Sequence, residues 1–125
     1  LAPGHSHLSV RRVAGGYQCE LAQSEPVNRH RPAVDVLFHS AASQVGANGV
    51  GVILTGMGKD GAQGLLAMRQ AGAWTIGQDQ ESCVVYGMPR EAAAIGALDE
   101  VGSLREVGQR VLSRLRMTEK RGIRV

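Results

Sequence analysis

Val50-Gly51-Val52-Ile53-Leu54-Thr55 is a short, β-branched run that feeds directly into Gly56-Met57-Gly58-Lys59-Asp60-Gly61, and a helical pattern begins at Ala62. Strand, glycine-rich turn and helix start, in that order, make one unit of a parallel α/β sheet. The unit puts a single acid, Asp60, at the carboxyl edge of the sheet. Open α/β sheets bind and react at that edge, so the role of Asp60 is the question on which function turns.

Working outward, His5 to Arg12 and Tyr17 to Leu21 alternate on either side of Ala14-Gly15-Gly16 and predict a β-hairpin. A polar connection from Ser24 to Pro32 follows, and Pro32 defers the next helix to the residues beyond it. Val34, Leu37, Phe38, Ala41 and Val45 then recur at helical spacing until Gly46. After the central strand, Ala62, Leu65 and Leu66 mark the buried face of a helix ended by Gly72. Ala73 to Gly77 predicts a second strand, and Val84-Val85-Tyr86 a short third. Pro89 and Gly96 bracket a helix over Arg90 to Ile95. Ser103 and Glu106 form a capping box for a last helix, with Leu104, Val107, Val111, Leu112 and Leu115 as its stripe. Strands alternating with helices predict a doubly wound, mostly parallel α/β sheet with flanking helices and an N-terminal hairpin.

With 125 residues, 43% of them hydrophobic, the chain has enough material for one ordered domain or part of one. Only 3% are aromatic and 17 are glycine, which suits tight turns and a core of Ala, Val, Leu and Ile. The net charge of +3 is concentrated toward the end, where Arg110, Arg114, Arg116, Lys120, Arg121 and Arg124 lie. With no aromatic side chain between those bases to stack on nucleotides, they are expected to be a solvated helix and a flexible basic tail over 117–125, not a nucleic-acid site. Cys19 and Cys83 are expected to be reduced, small core residues in a cytoplasmic compartment. No apolar run approaches a membrane span. Leu1-Ala2-Pro3-Gly4 reads like the interior of a longer protein, so a fragment of a larger catalytic domain is expected.

The glycine turn has two further readings. Gly56-x-Gly58-x-x-Gly61 matches the dinucleotide fingerprint, with Asp79 about where a ribose-binding acid belongs. Asp60 opposes this, because a carboxylate at the helix start competes with a pyrophosphate for the same amides and repels it. Alternatively, Asp60 caps its own helix, with Gln63 completing a box. His5 and His7 share a strand face, but no acid or Cys joins them at ligand spacing, and no metal site is expected. Ser6, Ser40 and Ser82 lie outside any nucleophile-elbow context.

Several segments together carry a resemblance: Gly51 through Gly61, Met68-Arg69-Gln70-Ala71-Gly72-Ala73, Gln78-Asp79, Ser82 through Pro89, and upstream Pro26-Val27-Asn28-Arg29-His30-Arg31-Pro32-x-Val34-Asp35-Val36-Leu37-Phe38. In that spacing, from about Leu1 to Leu115, the chain closely resembles the effector domain of the bacterial chemotaxis receptor methylesterases, protein-glutamate methylesterases that also deamidate glutamines. The resemblance implies a serine esterase with a Ser, His, Asp triad, no metal and no nucleotide. It maps the triad acid onto Asp60 and the turn's methionine onto Met57, beside an oxyanion site or floor that includes Gly58. The family's nucleophilic Ser, triad His and N-terminal receiver domain belong to segments upstream of those matched here. The chain would then be the C-terminal portion of the catalytic domain, inactive alone. The resemblance also implies acidic, helical methylation segments of chemoreceptors as partners. Against them the basic loop Arg29-His30-Arg31 and Met88 become candidates for the substrate face, the plain alternatives being a solvated loop and a helix start. Met57 is also open to a reading as gap-filling core.

Overall fold

Along the central run Val50 and Val52 pack on one face of a sheet, whereas Ile53 packs on the other. Gly51 also faces that second side, and so closely that a Cβ there would lie 2.5 Å from Leu65 Cδ1. This period-2 alternation with both faces apolar is what a strand sandwiched between helices requires. The computed structural model describes residues 1–120. The run forms strand β3 (Val50–Ile53), preceded by a hairpin of β1 (His7–Val13) and β2 (Gly16–Ala22) and by helix α1 (Val34–Gln44). After it come α2 (Ala62–Gln70), β4 (Trp74–Gln78), α3 (Met88–Ala94), β5 (Glu100–Gly102) and α4 (Leu104–Lys120).

The sheet order is β3-β4-β5, all parallel, and the hairpin is a separate antiparallel pair. One face carries Ile53, Leu65, Met68, Ala73, Ala92 and Ala97, which pack α2 and α3 against the strands. The other carries Trp74, Ile76 and Val107 under α4. Helices on both faces agree with the doubly wound expectation. α1 lies on α2 and is held to the hairpin by two side chains: Ser40 Oγ accepts the Val10 N–H at 2.9 Å, and Gln44 Oε1 accepts the Arg12 N–H at 3.0 Å.

Four expectations change. Val84-Val85-Tyr86 is not a strand; Val84 is 91% exposed, and only Tyr86 makes an isolated bridge, to Gly56. The third strand is Glu100–Gly102, paired with Ile76–Gln78. Loop 82–86 is instead tied down by buried Gln78, which accepts the Thr55 N–H at 2.8 Å and donates to the Ser82 carbonyl at 2.8 Å. In the α4 stripe only Val107 is buried, while Leu104 and Leu112 are about half exposed. Cys19 is exposed on β2, not in the core. The expected tail is helical as far as Lys120, and the rest of it, 121–125, lies outside the described residues.

The start of α4 keeps the Glu106 half of the expected capping box, while the Glu106 N–H goes to the Ser103 carbonyl and not to its hydroxyl. Glu106 Oε1 accepts from Ser103 Oγ at 2.8 Å and from the Ser103 N–H at 3.2 Å, and Arg110 donates to Glu106 Oε2 at 3.0 Å. The Ser103 hydroxyl, then its backbone N–H, then Arg110 hold the Glu106 carboxyl down to about 2.

Candidate active site

Asp60 follows the glycine turn and is 8% exposed, yet it does not cap the helix it precedes. The N-cap of α2 is Gly61, at φ 97° and with no side-chain cap bond, so the pairing with Gln63 does not form. A positive φ is open to glycine without steric cost, and this one turns the Asp60 side chain away from α2. Asp60 instead reaches α1. Its Oδ2 accepts the Val34 N–H at 2.7 Å and its Oδ1 accepts the Asp35 N–H at 3.1 Å. α1 has no cap of its own, since its N-cap residue is Ala33, and the orphan amides of its first turn are satisfied from another element.

α2 is served in return. Asp35, in the first turn of α1 and 5% exposed, accepts the Gly64 N–H at 2.7 Å through Oδ1. The two helices thus exchange caps, each carboxylate sitting on the amino terminus of the other's helix, where negative charge is favoured. Asn28 joins the pair: its Nδ2 donates to Asp35 Oδ2 at 2.6 Å and to Asp60 Oδ1 at 2.9 Å. Asn28 and Arg29 occupy the left-handed region, at φ 52° and 66°, in a tight turn closed by Val27 and His30. Asn tolerates that conformation better than most residues. Asn28 and Asp35 are the participants that sequence reasoning missed. Asp35 is an acid in a helix first turn, which by itself does not distinguish it from a solvated one.

Beside Asp60 lies an open cleft of about 430 Å³ lined by Asn28, Arg29, His30, Gly58, Lys59 and Asp60. The structure therefore brings Asp60, Gly58, Arg29 and His30 to one place. Arg31 and Met88 lie off that lining. Arg31 donates to the Gln23 and Ser24 carbonyls at 3.4 Å and braces the connection. Met88 lies under the turn, so close that a Cβ on Gly56 would fall 2.4 Å from its sulfur. Met57 is 82% exposed, which removes the gap-filling reading and leaves it at the tip of the turn.

The other candidates are absorbed structurally. Asp79 serves its own loop: Oδ1 accepts the Ser82 hydroxyl at 2.6 Å and the Ser82 N–H at 2.9 Å. Several amides around the turn are also taken, Gly64 N–H by Asp35, Ala62 N–H by the Lys59 carbonyl and Gly56 N–H by the Val85 carbonyl, and the acid Asp60 stands among the rest, so the dinucleotide reading is not favoured. His7 is buried with both ring nitrogens on backbone groups, the Ala33 N–H at 3.1 Å and the Glu25 carbonyl at 2.9 Å. The hydroxyls are engaged as well, Ser40 on the Leu37 carbonyl, Ser82 on Asp79 and Ser6 on the His5 ring.

Asp60 is thus a buried acid at a strand's carboxyl edge, beside a cleft with basic residues on its rim. A sequence model described as CheB methylesterase matches residues 1–111. The chain is 70% identical over 112 residues to a protein-glutamate methylesterase/protein-glutamine glutaminase 1 of Dechloromonas aromatica, covering 90% of this chain and 32% of that protein. It is 57% identical over 125 residues to its counterpart in Nitrosomonas europaea, covering 100% of this chain and 35% of that one. It spans about one third of the length of these curated relatives. Among solved structures, the catalytic domain of Thermotoga maritima CheB methylesterase superposes with a TM-score of 0.85 at 35% identity, over 89% of this chain and 59% of that one. The chain belongs to the CheB methylesterase family.

Proposed function

We propose that this chain supplies the acid of a Ser-His-Asp esterase that hydrolyses glutamate γ-methyl esters on chemoreceptors and deamidates receptor glutamines. The observation that carries the reading is Asp60, a buried carboxylate held by three donors and opening onto a cleft. Of its oxygens, Oδ1 takes two of those bonds and Oδ2 one. Oδ2 therefore keeps capacity for an imidazole Nδ1–H, the contact by which a triad acid fixes a histidine's tautomer and steadies the imidazolium.

The serine and that histidine come from a part of the protein outside this chain. In acylation the serine oxygen attacks the ester carbonyl, and the histidine takes its proton and passes it to the departing methoxide, releasing methanol. Water then attacks the acyl-enzyme, with the histidine as base, and returns glutamate. For glutamine the leaving group is ammonia. Gly58 and Met57 are assigned to the oxyanion side and rim of the site, and Arg29 and His30 to the face that meets acidic receptor helices. A receiver domain in the same protein and a cytoplasmic setting complete the proposal. The chain alone, without the serine and histidine, releases no methanol.

The test is methanol release from methylated receptor membranes by the full-length protein, with Asp60 intact or changed to Ala. A loss of about 10³–10⁴-fold supports a triad role, on the scale known for such acids. Unchanged release reduces Asp60 to a cap of α1.

A further inference from the structure

Asn28 is exposed as a residue, yet its amide lies between two buried carboxylates. It also stands between two clefts: the one of about 430 Å³ that holds Asp60, and a smaller one of about 180 Å³ lined by Asn28, Asp35, Lys59, Gln63 and Glu91, among others. Its NH₂ group donates at 2.6 Å to Asp35 Oδ2 and at 2.9 Å to Asp60 Oδ1, as many bonds as that group can make, since an amide nitrogen has two protons. Its backbone at φ 52° in the Val27–His30 turn aims it there.

We propose that Asn28 is a positioning residue for Asp60: its amide bridges Asp60 and Asp35, fixes the rotation of the Asp60 carboxylate and leaves Oδ2 as the oxygen facing the histidine. This rests on the reading of Asp60 as the triad acid. Two like charges so close repel, and a shared donor lets both stay in place without either turning away. The main-chain donors take one oxygen each, Val34 N–H on Oδ2 and Asp35 N–H on Oδ1, and by themselves do not distinguish the two oxygens. Asn28 comes from a separate turn, ahead of α1, and adds a second bond to Oδ1 alone. Without it the carboxylate would still bind the helix but would be held less tightly in one rotation toward the imidazole, and misplacement at an acid–base contact slows the reaction steeply.

The experiment compares full-length protein with Asn28→Gly, which keeps the left-handed backbone and removes the donor, with Asn28→Asp, which keeps the shape and replaces the donor with a charge, and with each change combined with Asp60→Ala. The readouts are kcat and KM for methanol release, and the melting temperature. We expect Asn28→Gly to lower kcat about 10–100-fold with KM little changed, Asn28→Asp to lower it further at neutral pH, and neither to lower it again in the Asp60→Ala background. The proposal is overturned if either folded single variant keeps the parent kcat, if the loss appears in KM, or if the same fractional loss persists without Asp60. Should Asn28→Gly fail to fold, Asn28→Asp decides the question by the same criteria. If Asp60→Ala itself costs nothing, the triad reading fails first. If Asp60→Ala is crippling and Asn28 is indifferent, the positioning role alone is lost.

Discussion

The loop after β3 and the loop after β4 leave neighbouring parallel strands at one sheet edge, and each carries an acid that the sequence marks out: Asp60 in the first, Asp79 in the second. Asp79 turns back on Ser82 three residues on, within its own loop. Asp60 makes its bonds to Asn28, Val34 and Asp35, all more than twenty residues earlier in the chain. Both are well satisfied, so satisfaction does not separate a site from a scaffold. What separates them is reach. Asp79 makes its side-chain bonds within its own loop, whereas Asp60 stands where two helix starts and an open cleft meet.

The sharpest way to break this contrast is to remove each acid in the full-length protein. Asp60→Ala is expected to lower kcat for methanol release by about 10³–10⁴-fold, while the unpaired Val34 and Asp35 amides lower the unfolding free energy by about 1–3 kcal/mol each. Chemical denaturation beside the assay separates the two effects.

A glycine change probes the contact between the loops. A Cβ at Gly87 would lie 2.6 Å from the Gly56 carbonyl oxygen and 3.1 Å from the Gly58 nitrogen, both backbone atoms that cannot swing aside. Gly87→Ala is therefore expected to destabilise the fold by about 2–4 kcal/mol and to displace Gly58, lowering activity as well. An unchanged denaturation midpoint would show that the loops are not rigidly joined.

Asp79→Ala gives the smaller counterpart. Losing a loop-closing acid is expected to cost about 1–2 kcal/mol by thermal unfolding and to leave kcat unaltered. A large fall in kcat with an unchanged melting temperature would erase the distinction between the two acids.

The smallest effect lies far from both loops. Glu106 has its folded pKa depressed from 4.5 to about 2, so its contribution to α4 is present above the ordinary glutamate range and is lost as pH falls through about 2. Glu106→Gln should flatten that part of the acid limb of the stability profile and leave the neutral-pH activity alone, as read by circular dichroism against pH.

Much of the local structure was legible. Ala62 begins α2 as its pattern requires, Gly72 and Gly96 follow α2 and α3 at positive φ, and Ser103 with Glu106 opens α4. The third strand was not. Val84-Val85-Tyr86 has the higher β-propensity, but β4 pairs with Glu100–Gly102, and propensity yields to the available partner. The site was half legible: Asp60, Gly58, Arg29 and His30 meet at one cleft, while Asn28 and Asp35 stood in the same upstream segment without any spacing that singled them out.

The sequence by itself determined the strand–turn–helix unit, the acid at its end, the glycines that follow α2 and α3 and the Ser103–Glu106 pair that opens α4, because such signals act between neighbours along the chain. Only the tertiary structure decided which helix that acid serves. Asp60 sits one residue before the N-cap of α2 and yet binds α1, because the left-handed Gly61 turns it toward amides that another part of the chain had left without a cap.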